Sequence, residues 1–305
     1  MTVFKPLPAE MSKEPLDKGM IDLGRMLYYE TRLSKDGTIS CNSCHDLKSY
    51  GVDGEPTSPG VGAQRGGRNS PTVYNAATHI SQFWDGRSPD VEDQAKGPIT
   101  NPVEMAMSDG TEVEARIREI PEYREHFAKV FPTEKEPVTL DNAAKAIGAF
   151  ERGLVTPDRF DDYLKGDLTA LEQKELVGLK TFIDFGCASC HNGVALGGGQ
   201  YQKLGLMRPY PSEDLGRFEV TGEERDKQKF KVPSLRNIHE TGPYLHDGSL
   251  SSLDETIRIM AEHQLNKEIS DQEVQQISDF LSALTGEIPH DYIKEPASVS
   301  SSGAQ

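Results

Sequence analysis

Cys41-Asn42-Ser43-Cys44-His45 and Cys187-Ala188-Ser189-Cys190-His191 contain the only four cysteines of the chain. Cys-X-X-Cys-His is the attachment signature of c-type haem. Two thiols form thioethers to the haem vinyl groups, and the histidine that follows lies under the iron as a proximal ligand. Two other readings compete: a dithiol redox pair, and a zinc site assembled from both pairs. A redox pair needs no histidine directly after its second cysteine, and here both have one. Zinc would require distant parts of the chain to converge. The motifs therefore predict two haem c groups, one in each half.

A length of 305 residues fits two domains of about 150 residues each. Glycine and proline are frequent, with 28 and 19 residues, so long irregular segments are expected around each haem. The net charge of −16 argues against a nucleic-acid partner, because phosphate would be repelled, and leaves a basic protein partner open. No apolar run is long enough to span a bilayer. The start, Met1-Thr2-Val3-Phe4-Lys5-Pro6, has no signal-peptide core. Haem c is normally attached outside the cytoplasm. The expectation is a mature periplasmic chain with its signal removed and a start Met added. The small, polar end, Ser298 to Gln305, is expected to be disordered, with order fading from about residue 295.

The chain reads as helices joined by loops. From Leu16 to Tyr29, Met20, Leu23 and Leu27 share one helical face. Thr111/Glu114, Thr169/Glu172, Ser252/Glu255 and Ser270/Glu273 have capping-box spacing. A helix from Leu171 to about Phe185 delivers the second haem motif. The last helix carries Val274, Ile277, Phe280, Leu281 and Leu284 and stops at Gly286. Short strands near Gln200–Leu206 stay open. Ser49 to Pro71 is a long Gly/Pro-rich loop beside the first haem, where loops of this length tend to be functional. The fold class is mainly α: two cytochrome c-like haem domains with long irregular loops. A boundary near Tyr163–Asp167 gives residues 1–163 and 164–305.

Further motifs make the chain resemble the bacterial diheme cytochrome c peroxidases over nearly its whole length. In the first half these are Arg68-Asn69-Ser70-Pro71-Thr72-Val73-Tyr74-Asn75, Gln82-Phe83-Trp84-Asp85-Gly86-Arg87, Gln94, and Asn101-Pro102-Val103-Glu104-Met105. In the second they are Val232-Pro233-Ser234-Leu235-Arg236-Asn237 and Thr241-Gly242-Pro243-Tyr244-Leu245-His246-Asp247-Gly248, continuing through Met260 to Gly286. The related enzymes that mature methylamine dehydrogenase use a tyrosine as second ligand of the C-terminal haem. Here Met260 matches the peroxidases' distal methionine. A thioether opposite an imidazole favours ferrous iron and raises the potential. On spacing alone, Met260 is equally a core methionine filling a gap.

At the N-terminal haem the chain departs from the family, which usually has a distal histidine in a Gly-His segment before the Arg-Asn-X-Pro-Thr motif. Counting back without a gap from Asn69, that segment is Gly60-Val61-Gly62-Ala63. Val61 cannot coordinate iron, and no histidine lies between Asp46 and Thr78. His79 is the nearest alternative, but its segment carries no ligand in the family, and it reads as a surface or hydrogen-bonded histidine. The N-terminal haem is therefore expected to be open when oxidised, under a mobile 50–67 loop.

By the same resemblance, Glu104 is the acid–base residue for bound hydrogen peroxide and Gln94 its hydrogen-bonding partner. Trp84, the only tryptophan, lies between the haems. Its alternative role is a core aromatic with a paired N–H. Asn69, Thr241 and Pro243 match the family's calcium ligands, a side-chain oxygen and two backbone carbonyls. The resemblance implies a peroxidase taking electrons from a small cytochrome c, in a homodimer. The alternatives are a non-catalytic diheme electron carrier, which would need a sixth ligand on the first haem, and a protein-oxidising maturation enzyme.

Overall fold

The computed structural model describes residues 3–9, 11–12 and 15–297. Six helices belong to the first half: α1 (Lys18–Tyr29), α2 (Cys41–Cys44), α3 (Val91–Thr100), α4 (Gly110–Glu119), α5 (Pro121–Val130) and α6 (Leu140–Glu151). Five follow: α7 (Arg159–Leu164), α8 (Gln173–Phe185), α9 (Phe218–Thr221), α10 (Leu253–Leu265) and α11 (Asp271–Ser282). β1 (Tyr201–Lys203) pairs antiparallel with β2 (Lys229–Lys231), Tyr201 opposite Lys231. The open possibility of a strand near Gln200–Leu206 is thus realised as half of a small ribbon. Among the described residues no helix is long and apolar enough to cross a membrane.

Local capping explains the helix starts. Asp17 accepts from Met20 N at 2.9 Å and opens α1 two residues after the expected Leu16. Ser270 and Glu273 form the expected capping box on α11. Ser252 caps α10 by accepting from Glu255 N, without the reciprocal bond. Two of the expected boxes are displaced. Asp109, not Thr111, caps α4, and Glu172 with Glu175 caps α8 in place of Thr169 with Glu172. In both cases a carboxylate nearer the helix start wins the free backbone amides. α11 ends at Ser282, before the expected stop at Gly286. Residues 298–305, expected to be disordered, lie outside the described residues.

Among the described residues two large apolar cores form, with a smaller cluster of Leu7, Met11 and Val155 beside them. In the first, Leu23 and Leu27 of α1 pack on Ile147 and Phe150 of α6, all fully buried. In the second, Leu179 and Phe182 of α8 pack on Ile277, Phe280 and Leu281 of α11. Both crossings depend on a glycine. A Cβ on Gly24 would lie 1.8 Å from Ala146 O, and one on Gly178 would lie 2.0 Å from Gln276 O. The chain ends exchange sides. Phe4 enters the second core against Phe160, while Ile293 enters the first, where Tyr29 Oη donates to its carbonyl at 2.6 Å.

The two halves meet through a duplicated polar device. Asn75 N donates to Leu154 O at 2.8 Å, and Asn75 Oδ1 accepts from Thr156 N at 3.1 Å. Asn237 N donates to Leu284 O at 2.9 Å, and Asn237 Oδ1 accepts from Gly286 N at 2.9 Å. Both asparagines have φ near +60°, a region that asparagine tolerates better than most side chains. Both donate their Nδ2 to one atom, Thr156 Oγ1, at 2.8 and 2.9 Å. All three residues are fully buried. Thr156→Val keeps the shape and strands two buried amide donors, each costing about 1–3 kcal/mol. The loss in unfolding free energy should be about 2–5 kcal/mol by urea titration. Thr156→Ser, which keeps the hydroxyl, should recover most of it. A wild-type midpoint for the valine variant would show that the shared hydroxyl contributes nothing.

Candidate functional site

In each half a tight turn presents a Cys-X-X-Cys-His motif. α2 is a single turn, with Ser40 and Ser43 reciprocally bonded at its start, and His45 is its C-cap. The second motif leaves α8 through Gly186, whose φ of 108° reverses the chain into a 3₁₀ turn. All four cysteines are free. Burial pushes Cys44 and Cys187 up to about 11, so these thiols are not poised as thiolates. No three His, Cys, Asp or Glu side chains among the described residues are grouped to hold a metal ion. The two cysteine pairs do not converge as a zinc site would require.

Both histidines are shielded, and burial lowers their pKa below the ordinary value while neighbouring carbonyls oppose it. His191 Nδ1 lies 3.1 Å from Leu196 O. Donation to that carbonyl places the ring proton on Nδ1 and leaves Nε2 as the free lone pair. His45 Nδ1 is buried without a partner among the described residues, and Tyr28 Oη donates to the His45 carbonyl at 2.9 Å. A neutral imidazole with one free nitrogen, beside two free thiols, fits a covalently attached haem at each motif.

Around His191 opens an apolar cleft with about 1720 Å³ of empty space, its mouth included. Cys187, Cys190 and Met260 share its wall with His191. Met260 is half-buried on α10, between the buried Ile257 and Ala261. Trp84 also lines this cleft. Its Nε1 donates to Asn69 O at 2.9 Å, and its carbonyl accepts from Lys231 N at 2.7 Å. The indole is thus fixed where the first half touches β2.

The three oxygens read as calcium ligands belong to residues of the same wall, Asn69, Thr241 and Pro243. Asn69 Nδ2 donates to Glu55 O at 3.0 Å. Asn69 Oδ1 and the Thr241 and Pro243 carbonyls accept no hydrogen bond among the described residues. Three hard oxygens without donors suit a calcium ion.

Of the residues expected at the first haem, Cys44 and Val61 lie near Glu104. Its carboxylate accepts from Asn101 Nδ2 at 2.7 Å. Burial raises its pKa above the ordinary carboxylate value, with Asn101 and Arg87 opposing. Cys44 feels the charges of both Glu104 and Asp53. Val61 N donates to Glu104 O at 2.8 Å, so the position where the peroxidases carry a histidine is brought against the expected base. A Cβ on Gly60 would lie 2.2 Å from Val103 O, which explains the glycine there. Gln94 is half-buried on α3, and its side chain makes no hydrogen bond among the described residues, to Glu104 or to any other group.

The loop over this site is more firmly held than its glycines suggest. Pro59 and Arg65 form an antiparallel bridge, Ser58 Oγ meets Ser70 Oγ at 2.7 Å, and Thr72 Oγ1 donates to Tyr50 O at 2.6 Å. Only Gly62–Gln64 form an exposed tip beyond the bridge.

Sequence reading missed two features. Arg68 donates to Asp85 at 2.5 Å and to Asp214 and Glu219 at 2.7–2.8 Å, tying the halves together beside Asn69. His79, weighed as a ligand of the first haem, instead lines the His191 cleft, with Nδ1 3.0 Å from Lys231 Nζ. Both depend on partners more than 140 residues away, which no local pattern signals.

Residues 18–169 match the family described as di-haem cytochrome c peroxidase. The cytochrome c551 peroxidase of Nitrosomonas europaea is 46% identical over 95% of this chain and 86% of its own length. That of Pseudomonas aeruginosa is 44% identical over 97% and 88%. The chain belongs to the di-haem cytochrome c peroxidase family. Methylamine utilization protein MauG of Methylorubrum extorquens is more distant, 35% identical over 79% of this chain and 68% of its own. Among solved structures, a MauG-like protein associated with microbial copper homeostasis superposes with a TM-score of 0.83, 30% identity and 96% coverage of both chains. The diheme peroxidase BthA of Burkholderia thailandensis, at a TM-score of 0.76 and 16% identity, shares the fold. Membership in a di-haem family accords with two attachment motifs on one chain.

Proposed function

We propose that the chain is a periplasmic diheme cytochrome c peroxidase that reduces hydrogen peroxide to water with electrons from a small cytochrome c. One observation carries this reading. A shielded carboxylate, Glu104, stands by Cys44 of the first motif, while Met260 shares a cleft with His191 of the second. The two haems c, when bound, supply the iron that activates peroxide and the iron that stores an electron. Cys41, Cys44 and His45 hold the first, and Cys187, Cys190, His191 and Met260 hold the second. Residues 1–163 and 164–305 then form the peroxidatic and electron-transfer domains. The family's homodimer is the assembly expected of this chain too.

Glu104 takes the proton from the near oxygen of peroxide and returns it to the leaving oxygen. A raised pKa serves both halves of that shuttle, because the group must first accept and then give a proton near the working pH. The Gln94 amide, without a partner among the described residues, supplies a hydrogen bond to orient the peroxide. Trp84, fixed between Asn69 and Lys231, shortens the path between the domains. Calcium at Asn69, Thr241 and Pro243 holds that junction. The alternative of a non-catalytic electron carrier needs a sixth ligand at the first haem, and Val61 offers none.

Glu104→Gln should lower turnover by about 10²–10⁴-fold while both haem spectra stay unchanged. In the wild-type protein the active carboxylate is lost as pH falls through its raised pKa. The acidic limb of kcat/KM should therefore lie above the ordinary glutamate range and vanish in the variant. Wild-type-like turnover would place the base elsewhere.

Val61 also makes a prediction about activation. The oxidised protein should show high-spin ferric iron by EPR and bind cyanide without prior reduction. Val61→His should convert that signal to low spin and make cyanide binding depend on reduction. Only low-spin iron in the oxidised wild-type protein would mean that another residue occupies the site.

The net charge of −16 should steer a basic donor cytochrome toward the protein. Turnover with such a donor should decline as salt rises past physiological strength. A flat salt profile would remove steering from the account.

A further inference from the structure

Lysine carries three donors and no acceptor when charged. With Lys231 Nζ 3.0 Å from His79 Nδ1, the ammonium donates and Nδ1 accepts. The imidazole proton must then sit on Nε2. That atom is buried and has no partner among the described residues. Lys231 is itself only 7% exposed, and Nζ has no other hydrogen-bond partner among the described residues. The pair therefore turns unused donors, one of them charged, into a low-dielectric wall. Such a group is costly unless an anion answers it.

That wall is the cleft of His191. Its described lining includes no aspartate, glutamate or arginine, and Lys231 is its one lysine. The charged and titratable groups around the pair leave it unanswered. Asp85 approaches Lys231 but is held by Arg68 at 2.5 Å and Arg87 at 2.9 Å. Tyr201, opposite on β1, gives its hydroxyl to Ser81 and its ring face to Arg217. Lys229, two residues back on β2, is paired with Asp226.

We infer that Lys231 and His79 form a carboxylate-binding pair, and that the carboxylate is a propionate of the haem held by Cys187, Cys190 and His191. The inference rests on the two-haem reading. A planar carboxylate has two oxygens, one for the ammonium and one for Nε2–H. Burial lowers Lys231 to about 8 and lowers His79 further, so the pair carries one proton charge at neutral pH. A propionate beside it would hold that proton to higher pH. The positive charge favours ferrous iron and keeps the propionate ionised.

The test is a spectroelectrochemical titration of the Met260-ligated haem between about pH 3.5 and 9, a range spanning the ordinary carboxyl and lowered lysine values. The wild-type midpoint should be nearly flat through neutral pH. Lys231→Met leaves the propionate without a counter-charge. Its midpoint should shift negative at high pH and acquire a slope as the propionate takes up a proton on acidification. His79→Phe should shift the midpoint less, in the same direction, and it serves if Lys231→Met does not load haem. Lys231→Arg should restore the wild-type profile. Variant profiles superposing on the wild type, with two haems c per chain by pyridine haemochromogen, would overturn the inference alone. Fewer than two haems in the wild-type protein would overturn the two-haem reading first. If added formate shifts the wild-type midpoint and Lys231→Met abolishes that shift, the pair binds soluble carboxylate and the propionate assignment fails.

Discussion

Thr156 Oγ1 is a buried point at which both halves meet on one atom. Two asparagines, each closing its own polypeptide turn, donate to the same buried oxygen. Neither amide can satisfy itself elsewhere, because both are shut away from water. The Asn75 turn also fixes the segment that runs to Gln82 and Trp84. The Asn237 turn fixes the segment that carries Val232, Pro233 and Arg236. Arg236 then buries its guanidinium against Asp158 and Asp161 of the α7 start, at 2.5 and 2.8 Å. Hydrogen bonds of defined length thus join the halves alongside the apolar packing of Phe4 and Ile293.

Chemically, the halves are built to differ. Around Glu104 the surroundings are polar and crowded, with Asn101, Arg87 and the backbone of Val61 in attendance. Around His191 the wall is apolar apart from a few groups, and a thioether faces it. Under the proposed function, the polar surroundings of Glu104 suit bond breaking and the apolar, thioether-bearing cleft suits electron storage.

The sequence showed these sites unequally. Both haem motifs were legible because attachment needs five consecutive residues. Ser270 with Glu273 and the cap at Ser252 were legible for the same reason. Thr111 and Thr169 misled, since the spacing of a hydroxyl and an acid says nothing of a competing carboxylate such as Asp109 or Glu172. Thr241 and Pro243 carry no signal of their own, because backbone carbonyls are present in every residue, and Asn69 alone reads only as a turn residue. Only resemblance picked them out. The pairing of Lys231 with His79 was invisible, since it is made by two segments that become neighbours only in the fold.

The crossed segments bear on how the protein folds. Phe4 serves the second core and Ile293 the first. Tyr29 gains the carbonyl it bonds, and Phe150 the stacked ring of Tyr292 with centroids 5.2 Å apart, only when a segment more than 140 residues away has folded back. Completing the first core is thus a long-range event, slower to reach than the local turns that form its helices.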